Sequence, residues 1–368
     1  MKRCKKCLLP EVYPNIFYNE KKICNYCLGT QHFGVENDEK IQLMLSYKIK
    51  LKEEFENLIE KCKGKSEYDC LLLFSGGKDS TYLLYLLKQN YNLKILAYTV
   101  DTGFMNPIAK KNIEKVVKSM NVDHIFYKPG NEFFNRLYRY YLTQPNFETF
   151  CDKICGICSE VIHGFALIEA SKRKIPFVIL GNSPDQTDHC FYEISKEKII
   201  KSWIPKEFDL NKSHGIDKNY FWNPKNGDYI PRFFIPFHVI DYPGEKAIIE
   251  IISKLGLLKK EDLNPLKNNC SLVWLLQYMD LNRNGYTPYI KNISRKIQSG
   301  KLKINKLKKL YYILGMELLK LGIVKTKDKK NVLKHLDLEI KNNINGKILI
   351  KSKLSFNDSL LFRKKPHY

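Results

Sequence analysis

CLLLFSGGKDST, residues 70–81, decides how the rest of the chain is read. An apolar run ends at Phe74, gives way to Ser75-Gly76-Gly77-Lys78-Asp79-Ser80, and resumes as YLLYLLKQ. A short apolar run that stops at glycines and continues with helical character is a buried strand turning into a helix. At such a turn glycines let backbone N–H groups approach an anion, the helix N-terminus adds partial positive charge, and a lysine adds a full one. The segment therefore reads as a phosphate cradle rather than an ordinary strand-to-helix turn. It is not a Walker A loop, because GxxxxGK followed by Ser or Thr is absent.

Outward from this point, apolar runs alternate with amphipathic ones. CLLLF (70–74), LKILAYTV (93–100), HIFYK (124–128) and PFVILG (176–181) read as parallel strands. Between and after them, STYLLYLLKQ, NPIAKKNIEKVVKSM, NEFFNRLYRYYL and SEVIHGFALIEASKRK read as helices. That order predicts a doubly wound α/β sheet, in which ligands gather at the carboxyl ends of the strands, where SGGKDS falls.

The N-terminal segment is a separate unit. Cys4 and Cys7 form one CxxC, Cys24 and Cys27 a second, with 16 residues between them. Two short turns thus supply four thiolates to one tetrahedral ion, the pattern of a zinc ribbon. Four unrelated thiols would not need that spacing. Such a site is coordinatively closed, so it orients a partner or substrate rather than doing chemistry. The charged amphipathic stretch 39–66 that follows reads as a linking helix.

With 368 residues and 44% hydrophobic content the chain buries a full core, which excludes a disordered protein. The start, MKRCKKCLLPEVYP, lacks the apolar core of a signal peptide, no apolar stretch is read as spanning a bilayer, and a cytoplasmic location is expected. Eleven clustered cysteines then point to metal ligation or redox chemistry rather than structural disulfides. The net charge of +23, from 62 Lys plus Arg against 39 Asp plus Glu, suits a phosphate-rich partner such as RNA, or reflects only a lysine-rich composition. The excess is densest in SRKIQSGKLKINKLKK (294–309) and VKTKDKKNVLKH (324–335).

SGGKDS resembles the signature of the N-type ATP pyrophosphatases, the PP-loop superfamily, with the resemblance covering residues 68–290. It implies a HUP-like sheet that binds ATP with Mg2+, transfers AMP to a substrate oxygen, releases pyrophosphate, and lets a nucleophile displace AMP. By position, Ser75, Gly76, Gly77, Lys78, Asp79 and Ser80 would hold the phosphates, with Lys78 and Asp79 catalytic and Asp79 placing magnesium. Thr99 and Asp101 would lie near the adenosine. In GNSPDQTD, Gly181 would approach the nucleotide, and Asp185, or else Asp188, would be the acidic residue near the phosphates.

A second cysteine group bears on the nucleophile. FCDKICGICSEVI places Cys155 and Cys158 in a CxxC at the start of a helix, where the sheet's carboxyl edge is expected, with Cys151 upstream as a spare ligand, and NPLKNNCSLVWLL supplies Cys270. This order resembles the iron-sulfur branch of the PP-loop tRNA thiolation enzymes, which implies that Cys155, Cys158 and Cys270 hold a 4Fe-4S cluster. Three thiolates leave one iron without a protein ligand, able to carry sulfur. A persulfide pair of Cys155 and Cys158 and a second zinc site are the alternatives. Residues 1–81 also resemble the N-acetyl sugar amidotransferases of surface-polysaccharide synthesis, which implies ammonia from a glutaminase partner in place of sulfur. The expected partners are accordingly tRNA or a small-molecule acceptor, with a sulfur donor or a glutaminase subunit. Membrane insertion is not expected, and a homodimer is compatible with the sequence.

The expected layout is a zinc ribbon (1–35), a linker helix (36–67), the PP-loop domain (68–290) with 196–228 as a lid insertion, and a basic helical region (291–368). In the lid, Trp203, Tyr220, Phe221 and Trp222 either stack on a ligand or pack on the domain. Among the histidines His163, His189 and His238, none forms a recognisable Ser-His-Asp arrangement. Cys62, Cys70 and Cys190 read as incidental thiols.

Overall fold

A computed structural model describes residues 1–29, 38–130, 132–144, 147–184, 186, 193–206, 216–263, 270–298, 300, 302–342 and 348–353. Asp185, Asp188, His189 and Cys190 lie outside the described residues. The chain divides into two compact units, one of residues 36–131 and 158–270, the other of residues 1–35, 132–157 and 271–368.

The first of these contains α2 (Asp38–Cys62), β1 (Cys70–Leu73), α3 (Lys78–Gln89), β2 (Ile95–Val100), α4 (Pro107–Ser119) and β3 (Asp123–Tyr127). Most of α6 (Phe150–Lys172) follows, then β4 (Phe177–Leu180), β5 (Glu193–Ile194), α7 (Lys196–Ile199), β6 (Arg232–Phe234) and α8 (Glu245–Lys254). Its six strands run in the order β3-β2-β1-β4-β6-β5, all parallel except β5, which pairs antiparallel with β6. This is the expected doubly wound α/β sheet. Every residue of β1 and β2 is buried, which explains the unbroken apolar runs: a parallel sheet covered on both faces has no solvent side to mark with polar residues. β3, at the edge, mixes exposed with half-buried positions. Helix α4 starts where Pro107 follows Asn106, whose side chain accepts the Ile108 N–H. Phe55 and Ile59 of α2 join Leu72, Leu83, Ile113 and Phe234 in the core.

The strand order reverses between β1 and β4, so the crevice at their carboxyl ends is the switch point of the sheet. Of the lid aromatics, Phe221 and Trp222 are each 3% exposed, and the Trp222 indole donates to the Ile199 carbonyl, so both pack on the unit. Tyr220 instead walls a cavity of about 250 Å³ together with Tyr98, Tyr127 and Phe165.

The other unit holds the ribbon with α1 (Asn25–Leu28), then α5 (Phe133–Thr143), the start of α6, and α9 (Leu272–Asn284), α10 (Tyr289–Gln298), α11 (Lys306–Lys320) and α12 (Thr326–His335). A hairpin of β7 (Leu338–Asn342) with β8 (Ile348–Ser352) adds two antiparallel strands to a region expected to be helical. LEIKN alternates apolar with polar residues and ILIKS opens on a β-branched apolar run, patterns that favour strand over helix. Cys4, Cys7, Leu8 and Leu9 form one core with Leu281, Tyr286, Ile290, Met316 and Leu319.

Helix α6 corrects one expectation: its 23 residues are long and apolar enough, by length and composition, to cross a membrane. Val161, Phe165, Ala166, Leu167 and Ala170 are buried within the protein, as in a core helix. The helix begins at Phe150, ahead of the CxxC, where the buried Asp280 accepts the N–H groups of Phe150 (2.7 Å) and Cys151 (3.1 Å). That carboxylate satisfies two otherwise orphaned donors of the first turn.

Candidate active site and metal centre

The loop Ser75–Ser80 leaves β1 and enters α3, whose N-cap Gly77 offers no side-chain cap. The first-turn N–H groups of α3 are therefore left to an anion. Gly76 has φ +69°, and a Cβ there would stand 2.7 Å from Ile113 Cγ1 and 2.9 Å from the Ala109 carbonyl oxygen. Only glycine allows the loop to lie this close to α4. Asn112 of that helix donates to the Gly76 carbonyl at 3.4 Å. Gly181, at the end of β4, makes a similar approach: its Cβ would fall 3.0 Å from Ser80 Cα.

Polar groups around the loop are ordered by one another. Ser75 Oγ and Ser80 Oγ are 3.1 Å apart, and Ser80 also donates to the Gly77 carbonyl. Lys78 Nζ lies 2.6 Å from Asp79 Oδ2 and 3.8 Å from Glu245 Oε1. Asp79, 8% exposed, accepts from the Tyr242 hydroxyl at 2.9 Å on its other oxygen. Burial, with the adjacent Asp79 charge, pushes the Tyr242 phenol well up, so it stays a donor. Thr99 donates to the Phe74 carbonyl at 2.6 Å, and His124 Nε2 lies 2.9 Å from the Thr99 hydroxyl. Asp101 is occupied by Lys110 Nζ (2.8 Å) and the Gly103 N–H (2.9 Å).

A cavity of about 340 Å³ opens at the switch point, lined by Ser75, Ser80, Thr99, Gly181, Cys158 and Cys270. His163 faces it too, with Nε2 3.3 Å from Ser159 Oγ. Burial, and to a lesser degree Lys198, lower the His163 pKa to about 4, which keeps the imidazole neutral near pH 7. Two cysteines far apart in the chain thus meet the phosphate loop at one cavity, while Gly76, Gly77, Lys78 and Asp79 form the loop beside it. Cys155 is exposed, one helical turn before Cys158 on α6, and counts with the other unit. Cys151 is 2% exposed, and burial followed by the Asp280 charge push its thiol well above the usual range, so it remains protonated. Sequence reading missed Tyr242 and Glu245, which lie in DYPGE after β6; its only local signal is the Gly244 that precedes α8.

In the other unit the ligand atoms of Cys4, Cys7, Cys24 and Cys27 all lie within 4.8 Å of one another, the one such group among the described residues. Sγ separations of 3.9 Å (Cys4–Cys27) and 3.5 Å (Cys7–Cys24) bracket the roughly 3.8 Å edge of a tetrahedron with Zn–S bonds of about 2.3 Å. The donor set fits a closed four-thiolate centre. The Cys24 N–H points to Cys4 Sγ at 3.3 Å and Gln298 Nε2 to Cys27 Sγ at 3.5 Å, contacts that stabilise thiolate charge. Hydrogen bonding from Cys24 and then Cys7 favours a thiolate on Cys4, while burial and the Cys7 charge push Cys27 up to about 12. A divalent cation would displace the remaining protons.

No protein-family profile matches the chain. The uncharacterized protein MJ1599 of Methanocaldococcus jannaschii is 33% identical over 265 residues, covering 67% of this chain and 85% of that protein. This chain belongs to the MJ1599 family. Solved structures with some likeness to it include an NH3-dependent NAD synthetase from Campylobacter jejuni (15% identity, 70% of this chain and 97% of that one, TM-score 0.34). Another is the U34-tRNA thiolase NcsA from Methanococcus maripaludis with its 4Fe-4S cluster (14%, 99% and 97%, TM-score 0.32). A third is NMN synthetase from Francisella tularensis (11%, 82% and 99%, TM-score 0.37).

Proposed function

We propose that this chain is a cytoplasmic PP-loop ATP pyrophosphatase that adenylates an oxygen of an anionic substrate, tRNA being the class its charge suits, and then replaces that oxygen with sulfur. The observation that carries the reading is the shared cavity: Cys158 and Cys270 line it together with Ser75 and Ser80 of the phosphate loop. An enzyme that only formed the adenylate would need no thiols there.

In this reading the free N–H groups of α3 and Lys78 hold the ATP phosphates, and Asp79, oriented by Tyr242, is the carboxylate that meets Mg2+. The substrate oxygen attacks the α-phosphorus and pyrophosphate leaves, its charge stabilised by the same donors. A sulfur nucleophile from an external donor then attacks the activated carbon, and AMP leaves with the original oxygen. A 4Fe-4S cluster held by Cys155, Cys158 and Cys270 would supply an iron able to carry that sulfur. Cys4, Cys7, Cys24 and Cys27 hold zinc in a structural role.

Cys270→Ser tests the assignment, prepared anaerobically and assayed for ATP binding, pyrophosphate release, iron and sulfur incorporation on one sample. ATP binding is expected to persist while iron and sulfur product are lost. Full sulfur incorporation without iron would reject the cluster in favour of a Cys155 and Cys158 persulfide pair, whereas pyrophosphate release with no sulfur incorporated even by the iron-loaded wild type would reject sulfur transfer and leave the ammonia-using amidotransferase as the better account.

A further inference from the structure

We infer that the outer face of α11 joins two copies of this chain, helix against helix, in a homodimer. Helix α11 is apolar on two opposite sides. One side is accounted for: Met316 and Leu319 are buried in the unit's own core, with Tyr312 and Ile313 packed against it. The other side carries Leu307, Leu310, Tyr311 and Leu314, which are 74%, 63%, 80% and 51% exposed, and continues to Leu321 at 70%. A surface helix normally turns polar residues away from its own core, so an apolar second face calls for a cover.

Its dimensions and pattern select a second copy. The five exposed side chains present on the order of 700 Å², above the roughly 300–600 Å² of the largest patch on an ordinary monomer and close to the roughly 800 Å² per partner of a standard interface. Leu307, Tyr311, Leu314, Leu318 and Leu321 follow one another in steps of four, three, four and three, the spacing of a helix-pairing seam. A straight seam of four leucines and Tyr311 can pack on its own copy across a two-fold axis, where the same patch must serve both partners. Each copy carries a net charge of +23, so the copies repel at long range while the seam attracts at contact. Screening that repulsion strengthens the dimer as salt rises, the opposite of what an acidic protein partner on this face would show.

Sedimentation velocity of the zinc-loaded full chain across micromolar concentrations tests the proposal. The wild type is expected to be dimeric, and at least tenfold tighter at high salt than at low salt. Tyr311→Glu combined with Leu314→Glu is expected to be monomeric, with far-ultraviolet circular dichroism and zinc content unchanged. A photo-crosslinking residue at position 311 gives a readout without charge insertion and is expected to join α11 to α11 of a second copy. A wild-type monomer, a dimer that survives the double substitution with its fold intact, or a crosslink to any other segment, including residues 354–368, would overturn the assignment.

Discussion

Replacing Gly76 by alanine separates the two physical demands that the phosphate loop places on this position. The first is torsional: at φ +69° an L-residue pays about 1–2 kcal/mol for the left-handed conformation. The second is steric. The new methyl would stand 2.9 Å from the Ala109 carbonyl oxygen, a backbone atom of α4 that cannot rotate aside, and 2.7 Å from Ile113 Cγ1. Overpacking of this kind costs about 1–3 kcal/mol. Gly256 provides the reference, because it has the same φ of +69° but no atom within 4 Å of a would-be Cβ. Both substitutions also restrict the unfolded chain to a similar degree, so that effect cancels in the comparison. Gly256→Ala should therefore lose about 1–2 kcal/mol and Gly76→Ala about 2–5 kcal/mol. Urea unfolding followed by tryptophan fluorescence measures both, and calorimetric titration with ATP on the same samples reads the loop. Pushing α4 away from the loop should weaken ATP binding in Gly76→Ala alone. Equal stability losses in the two variants would refute the close-approach argument.

Tyr242→Phe removes one hydrogen bond to the Asp79 carboxylate, a contact of about 1.5–3 kcal/mol, so pyrophosphate release should slow by roughly 10- to 150-fold, with a smaller change in ATP affinity. A wild-type rate would show that Tyr242 does not orient Asp79. Cys24→Ser should lower zinc from about one per chain and expose the amides of residues 1–29 to hydrogen exchange; undiminished zinc would remove Cys24 from the ligand set. Asp280 supplies a pH test, since burial, its leading cause, pushes its carboxyl up to about 6. The folded state then holds the proton more tightly than the unfolded chain between about pH 4 and 6, so this contribution is present below that window and lost as pH rises through it. The stability of wild type relative to Asp280→Asn should fall by about 2–3 kcal/mol from pH 4 to 7. A difference that stays flat across that range would contradict the shift.

Local pattern was enough for much of this protein. CLLL and ILAYTV announce strands covered on both faces, SGGKDS announces the turn between β1 and α3, and two CxxC pairs announce the four-thiolate centre. Each of these is encoded within a few residues, or in a spacing short enough for two turns to converge. The start of α6 at Phe150 was not legible in this way, because the carboxylate that meets its first N–H groups belongs to Asp280, 130 residues further on. Tyr242 reaches Asp79 across 163 residues, and Cys270, far along the chain from Ser75, lines the same cavity at the point where the sheet reverses its order between β1 and β4. For α11 the spacing alone shows two apolar faces. Packing against the ribbon core decided which one Met316 and Leu319 bury. Hydrophobic periodicity records that a side chain prefers to leave water, but its partner is set by chain topology, which no local pattern carries.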